Sequence, residues 1–295
     1  MNKIFRNHFA FFLFVVPALV MYATFYILPL LNSLQYSVTS WNGINEPVYN
    51  GFDNFAKALS DEQFWIALKN NIYFVLFSVF IQVPVIVIIS ILVSGVRRLL
   101  EFYKVTVYLP SILSTAAVAV IWQFVYQPDA GLMNQILKVL GLESLTRLWL
   151  GDPDTSMLAI LVTNAWQWTG FYIVLVLAAI FAVPREILEA GTMDGAVGWR
   201  KAWLLTIPLI RPVIIVVMLL SITGAMKALD IVLIMTNGGP FGSSEVMATY
   251  MYKQAYSYSD FGYANAISII ICVFTAIISL IFHLLTRRRK GADEV

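Results

Sequence analysis

Charge is what this chain has least of. Only 12% of its 295 residues are Asp, Glu, Lys or Arg, while 60% are hydrophobic. That is about half the charged share of an ordinary soluble domain. A soluble fold is excluded, because it would have nowhere to put so much apolar surface. Cysteine is nearly missing too. With Cys272 alone, neither an internal disulfide nor a cysteine-based metal site can form. The two histidines, His8 and His283, sit at opposite ends of the chain. Neither has a partner at metal-ligand or nucleophile–base spacing. They read as interfacial anchors, and no metal site, catalytic residue or enzyme activity is expected. No Gly-x-x-x-x-Gly-Lys-Ser/Thr phosphate loop occurs in the sequence, so ATP hydrolysis is expected to come from elsewhere. The basic residues form no patch of the kind nucleic acid requires.

What is present is long apolar runs. His8–Asn45, Asn70–Val96, Val105–Pro128, Thr155–Pro184 and Phe261–Thr286 carry no formal charge, and each is long enough for the roughly 20 helical residues that cross a bilayer. Pro212–Met226 is shorter; it spans only if Arg211 snorkels to one interface and the helix continues past Lys227. Barrel strands would alternate polar and apolar residues, whereas Val83–Ile89 and Ile173–Phe181 are apolar throughout. The expectation is an all-α integral membrane protein forming one transmembrane domain over residues 1–295. Its six transmembrane helices fall at about 9–31, 71–95, 105–127, 157–182, 209–232 and 263–285. The first is expected to be retained, being too long for a signal-peptide core.

Basic residues orient this bundle. With both termini cytoplasmic, thirteen of the 19 Lys and Arg residues fall on cytoplasmic segments, among them Lys3, Arg6, Arg97, Arg98 and Arg287–Lys290. Positive-inside orientation requires such a bias. Without the fifth span, Arg287–Lys290 would face outward, so topology supports that span independently.

The loops expected outside (32–69, 128–156 and 236–262) are rich in turn-forming residues. The one long cytoplasmic loop, 183–208, is the informative segment. Pro184 suits a helix start, Arg185 and Glu186 its first turn, and Gly195 a C-terminal cap. Ile187, Leu188, Ala190 and Met193 give one apolar side, with Glu189 and Asp194 left for solvent or a partner. A helix so short needs something to dock against. Trp199 and Trp203, beside Arg200 and Lys201, suit the headgroup region.

Glu189-Ala190-Gly191, then Gly195, and later Leu205, Ile207 and Pro208 resemble the cytoplasmic Glu-Ala-Ala loop of binding-protein-dependent ABC importer permeases. In that family the pattern is Glu-Ala-Ala, three residues, Gly, nine residues, then Ile-x-Leu-Pro. Gly191 replaces an Ala, which loosens the helix by up to about 1 kcal/mol. The resemblance covers nearly the whole chain. Pro17, Tyr26–Pro29, Tyr36–Asn42, Asn50–Phe55, Asp61–Trp65, Met235–Pro240 and Asp260–Ala266 are similar to segments of the sugar and glycerol-phosphate branch. The resemblance implies type I ABC importer permease architecture in a bacterial or archaeal cytoplasmic membrane. It implies alternating-access import of a sugar or related polyol, with a second permease (a heterodimer), two cytoplasmic ATPase subunits and an extracytoplasmic solute-binding protein as partners. ATP and Mg would belong to the ATPases, with no cofactor in this chain. Glu189, Ala190, Gly191, Asp194 and Gly195 would then form the ATPase-docking helix; an amphipathic helix lying on the membrane is the rival reading.

Buried amides and hydroxyls are costly in lipid without partners. Gln82, Gln123, Asn164, Gln167, Ser221 and Thr223 are therefore candidates for the translocation path. Asn71, Ser78 and Gln82 share a face, and Asn265, Ser268, Cys272, Thr275 and Ser279 form a stripe; both suit helix packing as readily as a path. Trp122, Trp166, Trp168 and Tyr172 could stack on sugar rings or form an interfacial belt. Lys227 and Asp230 could pair on one helix face. Gly238, Gly239 and Pro240 read as a tight turn, and the resemblance adds contact with the binding protein. An ion-coupled secondary transporter is the alternative to the importer, and it expects mid-membrane acids.

Overall fold

The computed structural model describes residues 8–96 and 100–287. Lys3, Arg6, Arg97, Arg98 and Arg288–Lys290, which carry part of the charge argument, lie outside the described residues, as do the side chains of His8, His283 and Arg287. The chain divides into two compact units, Met1–Asp61 with Met251–Cys272, and Glu62–Tyr250 with Val273–Val295.

In the first unit α1 (His8–Tyr22), a π-helical turn Ala23–Ile27 and α2 (Leu28–Ser37) follow one another. Strands β1 (Thr39–Ser40) and β2 (Val48–Tyr49) pair antiparallel with Thr39 opposite Tyr49, and α3 (Asp53–Ser60) follows. Three motif segments far apart in sequence meet here. The Asn54 amide donates to the carbonyls of Ser37 and Thr39, both at 2.9 Å. Trp41 stacks on Tyr36 with ring centres 4.3 Å apart, and its carbonyl accepts from the Gly262 N–H at 3.0 Å. Asp260 accepts from the Tyr263 N–H at 3.1 Å and takes Lys57 Nζ at 2.7 Å. Gly262 must be glycine, because a Cβ there would lie 2.1 Å from the Thr39 carbonyl oxygen.

The second unit holds α4 (Glu62–Phe77), a π-turn Ser78–Gln82, α5 (Val83–Ser94), α6 (Leu100–Ile112), α7 (Thr115–Val125), α8 (Leu132–Val139) and α9 (Pro153–Phe181). Then come α10 (Arg185–Met193), α11 (Trp199–Lys201), a π-turn Ala202–Thr206, α12 (Ile207–Met226) and α13 (Asp230–Met235). Helices α14 (Met247–Tyr256) and α15 (Phe261–Arg287) each have residues in both units. The Asp152 carboxylate caps α9 by accepting from the Asp154 N–H at 3.0 Å, and Pro153 fills its first position. Helix α9 is the core of this unit. Ile160 packs with Phe74, Ala119, Ile231 and Val232, while Ile173, Val176 and Leu177 pack with Val83, Ile86, Ile210 and Val217. At Gly170 a Cβ would sit 1.7 Å from the Val107 carbonyl oxygen, so α6 crosses α9 backbone to backbone as small residues permit.

All three π-turns end two residues before a proline: Pro29, Pro84 and Pro208. Proline lacks an N–H and crowds the carbonyl four residues back. Widening the preceding turn moves that carbonyl aside and keeps the helix running.

Five described helices are long and apolar enough to cross a membrane, or six if the bent pair α6–α7 counts as one. That pair turns by 96°, where a single span over 105–127 was expected. Ser114 adopts extended backbone and its hydroxyl accepts from the Ala117 N–H at 3.3 Å, starting a new helix. The span expected over 209–232 is also interrupted, between Met226 and Asp230.

Candidate solute cavity and coupling helix

A cavity of about 270 Å³ opens in the second unit. Helix α9 and the π-turn after α4 supply Asn164, Trp168, Tyr172, Ser78 and Gln82; the end of α12 and start of α13 supply Ser221, Gly224, Lys227 and Asp230. The bend between α6 and α7 adds Thr115. Ser221 is 4% exposed, and its hydroxyl has no hydrogen-bond partner among the described residues. Gln82 donates to the Thr169 hydroxyl at 3.3 Å. Lys227 and Asp230 do not pair. Lys227 caps the end of α12 and Asp230 begins α13, so the same-face geometry of an unbroken helix is lost; no ion pair joins them among the described residues. The cavity thus offers two rings, amides, hydroxyls and two exposed charges at its mouth.

Of the six path candidates, the structure brings together Gln82, Asn164 and Ser221. Gln123 instead donates to the Ile234 and Met235 carbonyls of α13, at 2.7 and 3.3 Å. Gln167 ties down the α6–α7 bend through the Leu113 carbonyl at 3.1 Å and the Thr115 hydroxyl at 3.3 Å. Thr223 donates to the Leu219 carbonyl of its own helix at 2.8 Å. Gln123 and Gln167 thus satisfy backbone carbonyls at the end of α13 and at the α6–α7 bend, while Thr223 bonds back within its own helix. Trp122 and Trp166 pack edge to face, 5.5 Å between centres, while Trp168 and Tyr172 line the cavity. In the α15 stripe, Asn265 and Ser268 donate to the Phe261 and Asn265 carbonyls, and Cys272 is exposed.

The Gly238, Gly239 and Pro240 segment is a tight turn. Gly238 has φ +79° and a Cβ there would meet the Glu245 carboxylate at 2.3 Å. The Ser244 hydroxyl donates to the Gly239 carbonyl at 2.6 Å, and Phe241 at the tip is 95% exposed. Asn70 holds this loop through the carbonyls of Gly242 (3.2 Å) and Glu245 (2.8 Å). The sequence reading passed over Asn70; the signal was an Asn-Asn pair at the head of an apolar run.

Helix α10 begins after Pro184 and ends at Asp194, with Gly195 in the left-handed conformation at φ +84°. Glu189, Ala190 and Asp194 are exposed. The apolar side is not buried in this chain: Ile187 is 42% and Met193 89% exposed. Gly191 is buried, and a Cβ there would lie 2.1 Å from Leu205 Cδ1. Lys201 reaches back to the Thr192 hydroxyl at 3.2 Å, so α10 is tied to the segment leading into α12. Trp199 and Trp203 stand exposed, edge to face.

The family model described as "Binding-protein-dependent transport system inner membrane component" matches residues 67–291. The chain belongs to this family. It is a membrane permease component of an importer and not an enzyme, and the ion-coupled carrier is set aside. The permease is 33% identical to the probable ABC transporter permease protein YurN of Bacillus subtilis over 272 residues, 91% of this chain and 93% of that one. It is 30% identical to the diacetylchitobiose uptake system permease protein NgcF of Streptomyces coelicolor, covering 99% of this chain and 86% of that one. The lactose transport system permease protein LacF of Rhizobium radiobacter is 29% identical, with 94% of each chain covered. Among solved structures, a chain of a bacterial ABC transporter involved in import of the acidic polysaccharide alginate matches with TM-score 0.83 at 23% identity, over 97% of the permease and 98% of that chain. The fold is that of an ABC importer permease.

Proposed function

We propose that this permease moves a sugar or related polyol across a bacterial or archaeal cytoplasmic membrane, driven by ATPase subunits that grip α10. The observation that carries this reading is the cavity. Its aromatic rings suit the apolar faces of a sugar, its amides and hydroxyls suit sugar hydroxyls, and the unpartnered Ser221 hydroxyl is a hydrogen bond waiting for a solute. Relatives named for lactose, diacetylchitobiose and trehalose/maltose support the solute class.

Docking through Glu189, Ala190, Gly191, Asp194 and Gly195 is supported by the apolar side of α10, where Ile187 and Met193 stay exposed among the described residues. Gly191 lets α10 close on Leu205, so a push on α10 reaches α12 and the cavity wall. ATP and Mg would be held by the partner ATPases. A second permease, distinct in sequence, would complete the pathway. A solute-binding protein would meet the Gly238–Gly239–Pro240 loop, where Phe241 stands free of the fold. Both termini would be cytoplasmic. The test is purification from native membranes followed by reconstitution. The permease should bring down a soluble ATPase, and uptake of radiolabelled disaccharide should stop without ATP while an ion gradient persists. Uptake by the chain alone on an ion gradient would sink the reading.

A further inference from the structure

Ser221 and Asp230 line the same cavity, and an unbroken helix could not place them so. From 221 to 230 is about two and a half helical turns, which would set the two residues on opposite faces. The interruption at 227–229 is therefore what turns Asp230 into the cavity wall. Breaking a helix inside a packed unit frees carbonyls at its end and N–H groups at the next start, and buried ones need partners.

One side chain supplies a partner at the end of α12 and another at the start of α14. Asn71 is fully buried. Its amide nitrogen donates to the carbonyl of Ala225, in the last turn of α12, at 3.1 Å. Its amide oxygen accepts from the N–H of Met247, the first residue of α14, at 2.7 Å. In a continuous helix the Ala225 carbonyl would be taken by the N–H of Leu229 instead. Asn71 thus satisfies in the broken form the carbonyl that Leu229 would satisfy in the whole one, so losing Asn71 tilts the balance towards the whole helix. The other arm of Asn71 holds the residue that follows the 236–246 loop, and its neighbour Asn70 holds that loop itself.

We propose that Asn71 is a positioning residue, a catch that keeps the α12–α13 helix interrupted and so keeps Asp230 in the cavity wall. Release of the catch lets Leu229 take the Ala225 carbonyl, the helix re-forms, and Asp230 swings out of the cavity. Displacement of the 236–246 loop acts on the catch through Met247. The identity of the cavity as the solute chamber rests on the function proposed above; the catch itself does not.

The test uses Cys272→Ser, which removes the chain's sole cysteine, as background for Asp230→Cys in native membranes. A water-soluble maleimide reports cavity exposure without any solute. With Asn71 present, labelling should be rapid. Asn71→Val should slow it about tenfold. Asn71→Thr, the same shape with a hydroxyl that donates and accepts, should recover at least half the rate. Phe241→Cys should label equally in every background. Equal rates in the Asn, Val and Thr forms would overturn the catch, as would equal slowing in Val and Thr, which would mean shape and not hydrogen bonding. If Asn71→Val does not reach the membrane, Asn71→Ala replaces it with the same criterion. A working catch in a chain that carries no sugar would leave this inference standing and sink only the solute assignment.

Discussion

Ser221 is a buried hydroxyl whose removal should cost the fold nothing. Deleting a hydroxyl that already has a partner leaves an orphan behind; this one has none among the described residues. Ser221→Ala should therefore leave thermal stability within about 0.5 kcal/mol of the parent. It should also raise the half-saturation concentration for uptake by roughly three- to tenfold, the share of one hydrogen bond. A fall in stability with unchanged uptake would place the partner of Ser221 within the protein. Glu189 and Gly195 sit where side-chain charge and backbone conformation can be altered without touching the core, since both are exposed. Glu189→Lys reverses a charge on the face offered to a partner. Gly195→Pro cannot adopt φ +84° and loses the N–H bonded to the Thr192 carbonyl at 3.1 Å. Both variants should insert normally and accumulate to parental levels. ATP turnover should continue while uptake falls at least about tenfold, a loss of coupling larger than 1.4 kcal/mol. Measuring the ratio of ATP consumed to solute imported decides it, and normal uptake by both would remove the docking role from α10.

Helices α6 and α9 are held by a close backbone approach. The approach at Gly170 is the tightest within the second unit, and the atom it meets is a backbone carbonyl that cannot rotate away. Gly170→Val should push α6 off α9 and cost at least about 3 kcal/mol, beyond the usual range for overpacking because backbone has to move. Thermal unfolding of the detergent-solubilised protein should show the drop, and Gly151→Ala, whose nearest neighbour lies 3.7 Å away, should not. The same elements show what a sequence does and does not disclose. Apolar runs reveal which residues prefer lipid, and the all-helical membrane fold follows from them. They do not reveal continuity, because a broken helix and a straight one have the same composition. Thus 105–127 and 209–232 read as single spans although Ser114 starts a new helix and the chain breaks at 227–229. The cavity was half legible for the same reason. Gln82, Asn164 and Ser221 stand out as amides and hydroxyls in apolar runs, but so do Gln123, Gln167 and Thr223, whose partners are backbone carbonyls. Lys227 and Asp230 enter the cavity only through a break that composition cannot show.

At the scale of the molecule, direction is what matters, and it depends on α12. The chain reaches α12 from α10 and leaves it, through α13, for the loop that carries Phe241. If α12 crosses the membrane, as its length and apolarity allow, Met193 and Phe241 face opposite sides. Their exposures, 89% and 95%, make both open to reagents. In a Cys272→Ser background, Met193→Cys should react with an impermeant maleimide only from the cytoplasmic side of inverted vesicles. Phe241→Cys should react only from outside intact cells. Labelling should favour the expected side by about tenfold or more, because the apolar barrier excludes a charged reagent almost completely. Both cysteines reacting from one side would mean that α12 does not cross. The loop on Phe241 and the helix of Met193 would then share a compartment, and no motor beneath the membrane could act on a cavity held open by a loop above it. Opposite labelling leaves the arrangement that directional import demands, with α10 on the side of the energy source and the 236–246 loop on the side of the solute.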